Sequence, residues 1–293
     1  MFLDIAHELN EHALRIEEAL EKCFPAEDSR GGLTEAMKYS VLGGGKRVRA
    51  FLTLSFAKMY GADEKAAMPF ACALEMVHAY SLVHDDMPCM DDDDMRRGKP
   101  SCHKKFGEAT ALLAGDSLLT LAFEVCASNP YVSPTSIALA VKTLANLAGF
   151  AGMCGGQEID LCESAESYGR LTELHLLKTG ALIKAACLLG LYAANDAPDP
   201  ETVKNISDYA DTLGIAFQIH DDILDVTSDT ETLGKPVGSD EKNDKKTVLS
   251  FMTLEEAVEL EYNLTKKAIA AISECPDNEI PGQLAVWLLS RKK

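Results

Sequence analysis

Several common signatures are missing from this sequence of 293 residues, and each absence removes a class of protein. No C-x-x-C pair occurs among its nine cysteines, an odd count scattered from Cys23 to Cys275. Neither a disulfide framework nor a zinc site is therefore expected. Cys72, Cys126 and Cys187 sit in apolar runs and read as core fillers. The first ten residues, MFLDIAHELN, lack the basic lead-in of a secretory signal. The most apolar stretch, AACLLGLYAA (185–194), is too short to cross a bilayer, and the closing LLSRKK offers no prenylation cysteine. A cytoplasmic location without a membrane anchor is the expectation. Basic residues are scarce, 28 Lys+Arg against 46 Asp+Glu, for a formal charge of −18. That balance argues against nucleic acid or an anionic membrane as partner. An anionic substrate would have to be met by clustered cations or by metal ions.

What is present reads as helix. Segments 1–22, 34–42, 48–60, 65–86, 108–127, 135–154, 170–194, 201–227, 247–273 and 282–290 are rich in Ala, Leu, Met and Glu. Their apolar residues recur at spacings of three and four. Turn residues fall between them, at Gly43-Gly44-Gly45, Ser128-Asn129-Pro130 and Ala197–Pro200. No stretch alternates in the manner of a strand with hairpin turns. Several helices are apolar nearly all round, as in the interior of a large bundle. With no Pro/Gly/Ser-rich linker, residues 1–293 read as one all-α domain.

Two near-repeats carry the chemistry. SLVHDDMPCMD (81–91) and AFQIHDDILD (216–225) each place His-Asp-Asp after an apolar helical run, with a further Asp behind. Gln218, Asp221, Asp222 and Asp225 have the spacing i, i+3, i+4, i+7 and so share one helical face. Like charges there raise one another's pKa unless cations compensate. Asp85 and Asp86 close a long helix before Pro88, at the pole of the helix dipole that disfavours anions. Both arrangements are costly for the bare chain and sensible around a divalent metal. Oxygen ligands without Cys or clustered His favour Mg²⁺. Glu75-x-x-His78 matches one half of a ferritin-like di-iron site, but no second E-x-x-H accompanies it.

Cations stand near these carboxylates. Gly43-Gly44-Gly45-Lys46-Arg47-Val48-Arg49 opens a helix where N–H groups and positive side chains meet an anion, without the spacing of a Walker A loop. Arg96 and Arg97 follow Asp91–Asp94 directly, and either could simply neutralise that run. Lys178 and Thr179 interrupt an apolar helix, Lys184 reads as a snorkelling side chain, and Lys235 lies beyond the second Asp motif. Anion sites flanking carboxylate clusters form a specific constellation.

LVHDDMPCMDDDDMRRGKPSCHKKFG and FQIHDDILD resemble the two aspartate-rich motifs of the trans-isoprenyl diphosphate synthases. GGGKRVRAFL, EMVHAYSL, GMCGGQEIDL, HLLKTGALI and TLGKPVGSD extend the resemblance in order over roughly residues 30 to 250. Met87-Pro88 within the first motif is similar to the bacterial farnesyl diphosphate synthase branch. The resemblance implies the all-α isoprenoid-synthase fold, a single large helical bundle around a deep central cavity, as a homodimer. It implies Mg²⁺, three ions per active site, held by Asp85, Asp86 and Asp91 and by Asp221, Asp222 and Asp225. Arg96, Lys178, Thr179, Gln218 and Lys235 would hold the allylic diphosphate, and Lys46, Arg49, His78 and Arg97 isopentenyl diphosphate. Asp85, Asp86, Asp91, Asp221, Lys178 and Lys235 would form the catalytic set. Ala50 stands where the family usually has Pro, which is expected to loosen that helix start. The tract 240–247 departs from the usual loop, and Lys245 and Lys246 receive no role.

The implied reaction ionises an allylic diphosphate, lets the isopentenyl double bond attack the cation, and releases a proton to the departing pyrophosphate. Two such condensations turn dimethylallyl into geranyl and then farnesyl diphosphate. The rivals are a geranylgeranyl or geranyl diphosphate synthase, a terpene cyclase, and a non-catalytic synthase subunit. Three Asp in the second motif favour elongation over cyclisation, and two intact motifs disfavour the subunit. Tyr80 and Ser81, just before Asp85, are the expected chain-length residues. An ideal helix places Tyr80 about 140° from Asp85, so only the resemblance aims it into the cavity.

Overall fold

The structure is a computed structural model that describes residues 4–25, 31–162, 165–227 and 246–290. Helices account for most of it. α1 (Ile5–Lys22), α2 (Gly32–Val41), α3 (Val48–Met59) and α4 (Glu64–Asp85) come first. α5 (Cys102–Phe106), α6 (Glu108–Ala127), α7 (Pro134–Ala148), α8 (Met153–Cys162) and α9 (Tyr168–His175) follow. A π turn, Leu176–Gly180, then leads into α10 (Ala181–Ala194). α11 (Pro200–Thr227), α12 (Leu254–Ala271) and α13 (Glu279–Ser290) complete the chain.

Local chemistry sets several boundaries. The Asp4 side chain accepts from His7 N and caps α1, Ser133 does the same for α7, and Thr253 forms a reciprocal capping box with Glu256 on α12. α3 starts differently. Its cap residue, Arg47, has φ 51° and gives no side-chain bond, so the free N–H of Ala50 is taken by Glu75 from α4 at 3.2 Å. Ala50 therefore tightens the helix start instead of loosening it, because a proline there would lack the N–H that Glu75 binds. Glu75 also accepts from Arg47 at 3.1 Å, and both side chains are buried. Its carboxylate is thus committed to structure, which ends the di-iron reading.

α4 lies at the centre, buried from Ala66 to Val83 on nearly every face and packed between α3, α6 and α10. α10 is equally enclosed, with Leu182, Cys187, Leu189 and Leu191 in the core. Cys72, Cys126 and Cys187 are buried as expected, and all nine cysteines are free thiols. Lys184 reaches Asp211 on α11 at 2.7 Å, so its snorkel ends in an ion pair. α11 links two apolar clusters: Ile206, Tyr209 and Leu213 join the main core, while Ile219 and Ile223 pack with Val248 and Ala257.

Several sequence expectations need correction. The helix expected over 135–154 breaks at Gly149, whose backbone is extended, and α8 begins afresh at Met153. The helix expected over 247–273 opens with a separate 3₁₀ turn, Val248–Ser250, before α12 starts behind its Thr253 cap. A two-stranded hairpin, β1 (Met95–Arg96) and β2 (Lys99–Pro100), was not legible. Its turn residues Arg97 and Gly98 both have positive φ, 52° and 74°, as a tight hairpin turn requires. The signal was Arg-Gly where Asn-Gly is usual. Helical continuity also lengthens the apolar spans beyond AACLLGLYAA. By length and composition four segments, Glu64–Asp85, Glu108–Ala127, Pro134–Cys162 and Tyr168–Ala194, would suffice to cross a bilayer. For the first and last, burial inside the bundle accounts for the hydropathy.

Candidate active site

A cavity of about 380 Å³ opens between α4, α8, the π turn and α10. Arg49, His78, Asp85, Lys178 and Thr179 bring charge and hydrogen bonding to it. Tyr80, Met153, Leu161 and Leu182 supply apolar wall. Residues more than a hundred positions apart in sequence thus converge, and the expected site residues form most of the polar set.

Asp85 ends α4 and Asp86 is its C-cap. The Asp91 N–H donates to the Asp85 carbonyl at 2.9 Å, which folds the intervening loop so that Asp91 returns to Asp85. Burial pushes the Asp85 carboxyl up to about 6; Lys178 opposes this and the Asp91 charge adds to it. A carboxylate poised in this way favours a cation beside it. Asp86 points elsewhere. It is buried against Arg96, whose Nε donates to it at 2.9 Å, and it lines a separate small cleft with Arg97 and Ser101. Arg96 also reaches Asp93 at 3.4 Å, so here it neutralises the Asp run. Arg97 arches from the hairpin turn to donate to the carbonyl of Gly44, closing over the glycine loop that carries Lys46. Lys46 itself is exposed and lies outside the cavity lining.

The π turn explains why Lys178 and Thr179 can interrupt an apolar helix. One extra residue per turn widens the helix, a feature frequent at functional sites. Glycines clamp it from both sides. A Cβ on Gly156 of α8 would come within 2.2 Å of the Lys178 backbone nitrogen, and one on Gly214 of α11 within 2.7 Å of Gly180 Cα. So held, Lys178 Nζ donates to Asp160 at 2.5 Å and Thr179 Oγ1 donates to Gln218 at 3.0 Å. Gln218 thereby brings α11 to the site.

Arg49 lies 3.5 Å from His78 Nε2. Burial, followed by the neighbouring charge of Arg49, drives the His78 imidazole well below its usual value, so it stays neutral. Burial also lowers Arg49, while Glu75 and Asp221 oppose; the second Asp motif therefore acts electrostatically on this corner. Asp222 and Asp225 are buried on α11, and Asp222 accepts from the Val248 N–H at 2.8 Å. Lys235 falls outside the described residues. Tyr80 and Ser81 both line the cavity, with Tyr80 Oη 3.5 Å from Cys154 Sγ and Ser81 donating to the His78 carbonyl at 2.9 Å.

Two site residues were given no role from sequence. Gln157 donates to Asp85, and Asp160 receives Lys178. Their i, i+3 spacing on a short helix behind Gly155-Gly156 was the available signal. The tightest group of potential ligand atoms among the described residues is also not the expected one. Asp92, Asp94 and His103 bring theirs within 4.8 Å of one another, with Asp94 also paired to Lys104 at 2.8 Å. The expected Mg²⁺ ligands come from two distant segments. Their all-oxygen donor set, and an Asp85 whose ionisation is resisted, fit a hard divalent cation.

Residues 31–279 match the family described as polyprenyl synthetase. The chain is 40% identical over 290 residues to farnesyl diphosphate synthase of Haemophilus influenzae, covering 98% of each. It is 42% identical over 269 residues to farnesyl diphosphate synthase of Escherichia coli, covering 89% of this chain and 90% of that one. Among solved structures, geranylgeranyl pyrophosphate synthetase from Pyrococcus horikoshii superposes with a TM-score of 0.88 at 32% identity, covering 98% of each chain.

Proposed function

The chain belongs to the polyprenyl synthetase family, and on that premise we propose that it is a trans-prenyltransferase making farnesyl diphosphate. Isopentenyl diphosphate is condensed first with dimethylallyl and then with geranyl diphosphate. The observation that carries this reading is the cavity itself, where Lys178 and Thr179 on a clamped π turn share with Asp85 a pocket whose apolar wall includes Tyr80, Met153 and Leu182.

Each residue's part follows from its chemistry. Lys178 and Thr179, with Gln218, Arg96 and Lys235, hold the allylic diphosphate and place its C–O bond at the mouth of the apolar pocket. Arg49, Arg97 and Lys46 offer charge to the second diphosphate, and neutral His78 adds a hydrogen bond without further charge. The apolar wall excludes water from the allylic cation, which hydrolysis would otherwise consume. Asp85 and Asp91, with Asp221, Asp222 and Asp225, would hold up to three Mg²⁺ ions, and Asp86 would join them only by giving up its bond from Arg96. When bound, Mg²⁺ supplies charge neutralisation for the leaving diphosphate. No cavity-facing carboxylate is needed as general base, since released pyrophosphate accepts the proton. Tyr80 and Ser81 would form the floor that limits product length.

We further propose that residues 1–293 act as one domain in a cytoplasmic homodimer. α6 supports the dimer: only 33% of its most apolar stretch is buried, and Leu112 and Leu113 are 46% and 54% exposed. The free thiols agree with a reducing compartment.

The test is to incubate the protein with Mg²⁺, isopentenyl diphosphate and each allylic primer, then size the products. A C15 product from dimethylallyl and geranyl primers is expected. A C20 product reassigns the length within the same class, and no product overturns the reading.

A further inference from the structure

Both near-repeats carry a histidine before their paired aspartates, and the reaction described above gives neither a part. His84 of the first motif meets the Leu112 carbonyl at 3.1 Å, a backbone partner that any residue at 112 would offer. His220 of the second motif is different. Its Nδ1 donates to Glu261 Oε1 on α12 at 2.6 Å, and both side chains are buried. A carboxylate can only accept, so this ring nitrogen carries the proton. Where α11 packs on α12 the other contacts are apolar, from Ile219, Ile223, Val248 and Ala257. A carboxylate buried there with its hydrogen-bonded partner adds little stability over an apolar pair. What it adds is direction, because a short charge-assisted bond tolerates little rotation.

The helical period shows which direction is fixed. Successive residues turn by about 100°, so His220 and Asp222 stand on either side of Asp221, and Ile219 and Ile223 on the face opposite it. That opposite face is the one packed with Val248 and Ala257. Each flank is then tied to the segment running into α12. His220 is held by Glu261, and Asp222 accepts from the Val248 N–H at 2.8 Å. Rotation of α11 about its own axis would break one tie or the other. Asp221, between them, is turned toward the cavity side, where its charge acts on Arg49. We propose that Glu261 is a positioning residue for the second aspartate motif, holding α11 through His220 so that Asp221 faces the cation it is to bind. This rests on the assignment of Asp221 to Mg²⁺.

The experiment titrates Mn²⁺ into the full chain and follows the electron paramagnetic resonance signal of the free ion. The wild type is compared with Asp221→Asn, Glu261→Ala, the double variant of these two, and Glu261→Gln. Asp221→Asn should weaken part of the binding and so mark the sites of the second motif. Glu261→Ala should weaken those same sites roughly tenfold, the lower end of what losing a ligand's support costs. Glu261→Gln, whose amide oxygen still accepts from Nδ1, should keep most of the affinity. The double variant should bind no more weakly than Asp221→Asn alone, because Glu261 acts through Asp221. In turnover, Glu261→Ala should raise the Mg²⁺ concentration needed for half-maximal rate. If Glu261→Ala does not fold, His220→Leu, which removes the donor and keeps bulk, must show the same weakening. Unchanged Mn²⁺ affinity in a folded Glu261→Ala, beside a weakened one in Asp221→Asn, overturns the proposal and leaves the metal assignment standing. Additive losses in the double variant overturn it too, since they place Glu261 in the general scaffold. Unchanged binding in Asp221→Asn overturns the assignment of Asp221, and the proposal with it.

Discussion

Lys178 Nζ sits 2.5 Å from Asp160 Oδ2, joining the π turn to α8 across the wall of the cavity. The lysine assigned to the allylic diphosphate is thus aimed by a carboxylate behind it. Asp160→Asn keeps the size and removes the carboxylate's charge, so Lys178 is held more weakly while retaining its own charge. Its kcat/KM for geranyl diphosphate should fall roughly tenfold or more. The KM for isopentenyl diphosphate should stay unchanged. Kinetics with each substrate varied separately decide this, and an equal loss on both would place Asp160 in the general scaffold.

Asp85 makes the metal-free protein sensitive to pH. Its folded-state carboxyl, at about 6, lies above the ordinary 3.8, so the folded form binds the proton more tightly than the unfolded chain. Stability from this group is full below about pH 4 and is lost as pH rises through about 6. Asp85→Asn removes that loss. With a chelator present, its unfolding free energy from urea titration should exceed the wild type's at about pH 8, by up to about 3 kcal/mol, and converge with it near about pH 4. The same variant should lose nearly all turnover. A wild-type advantage at the higher pH would contradict the strained carboxylate.

Gly156 is tested by a single methyl group. With a Cβ there only 2.2 Å from the Lys178 nitrogen, Gly156→Ala must push α8 and the π turn apart. The expected cost is about 1–3 kcal/mol of stability, typical of overpacking, together with a raised KM for the allylic substrate. Gly169→Ala is the control, since a Cβ there meets nothing closer than 4.0 Å. Thermal melts and substrate kinetics on the pair read both effects.

Tyr80 faces the cavity, against the ideal-helix argument that left its direction open. Its hydroxyl reaches Cys154 on α8 and its ring meets His84 edge-on at 5.7 Å. Tyr80→Ala removes that barrier between α4 and α8, and the variant should carry elongation one step further, to C20. Chain-length analysis of the products checks it. A folded, active variant that still stops at C15 would move the floor to other residues, with Cys154 and Met153 next in line.

The sequence by itself determined the helical class, most helix limits, the carboxylate motifs and the cations near them. Those signals are local: apolar residues at spacings of three and four, Gly and Pro between them, and Asp clusters whose mutual repulsion calls for a cation. It did not give the partners of those groups, because partnership depends on segments far apart in the chain. Only the folded structure decided that Asp86 is spent on Arg96 while Asp85 takes Gln157, that Glu75 caps α3 through Ala50, and that Lys178 leans on Asp160. The π turn was equally hidden. Its sequence reads as ordinary helix, and it is the close approach of Gly156 and Gly214 from two other helices that accompanies the wider turn. Periodicity fixes which face of a helix is buried, but the neighbour packed there decides which polar atom is left to meet a substrate.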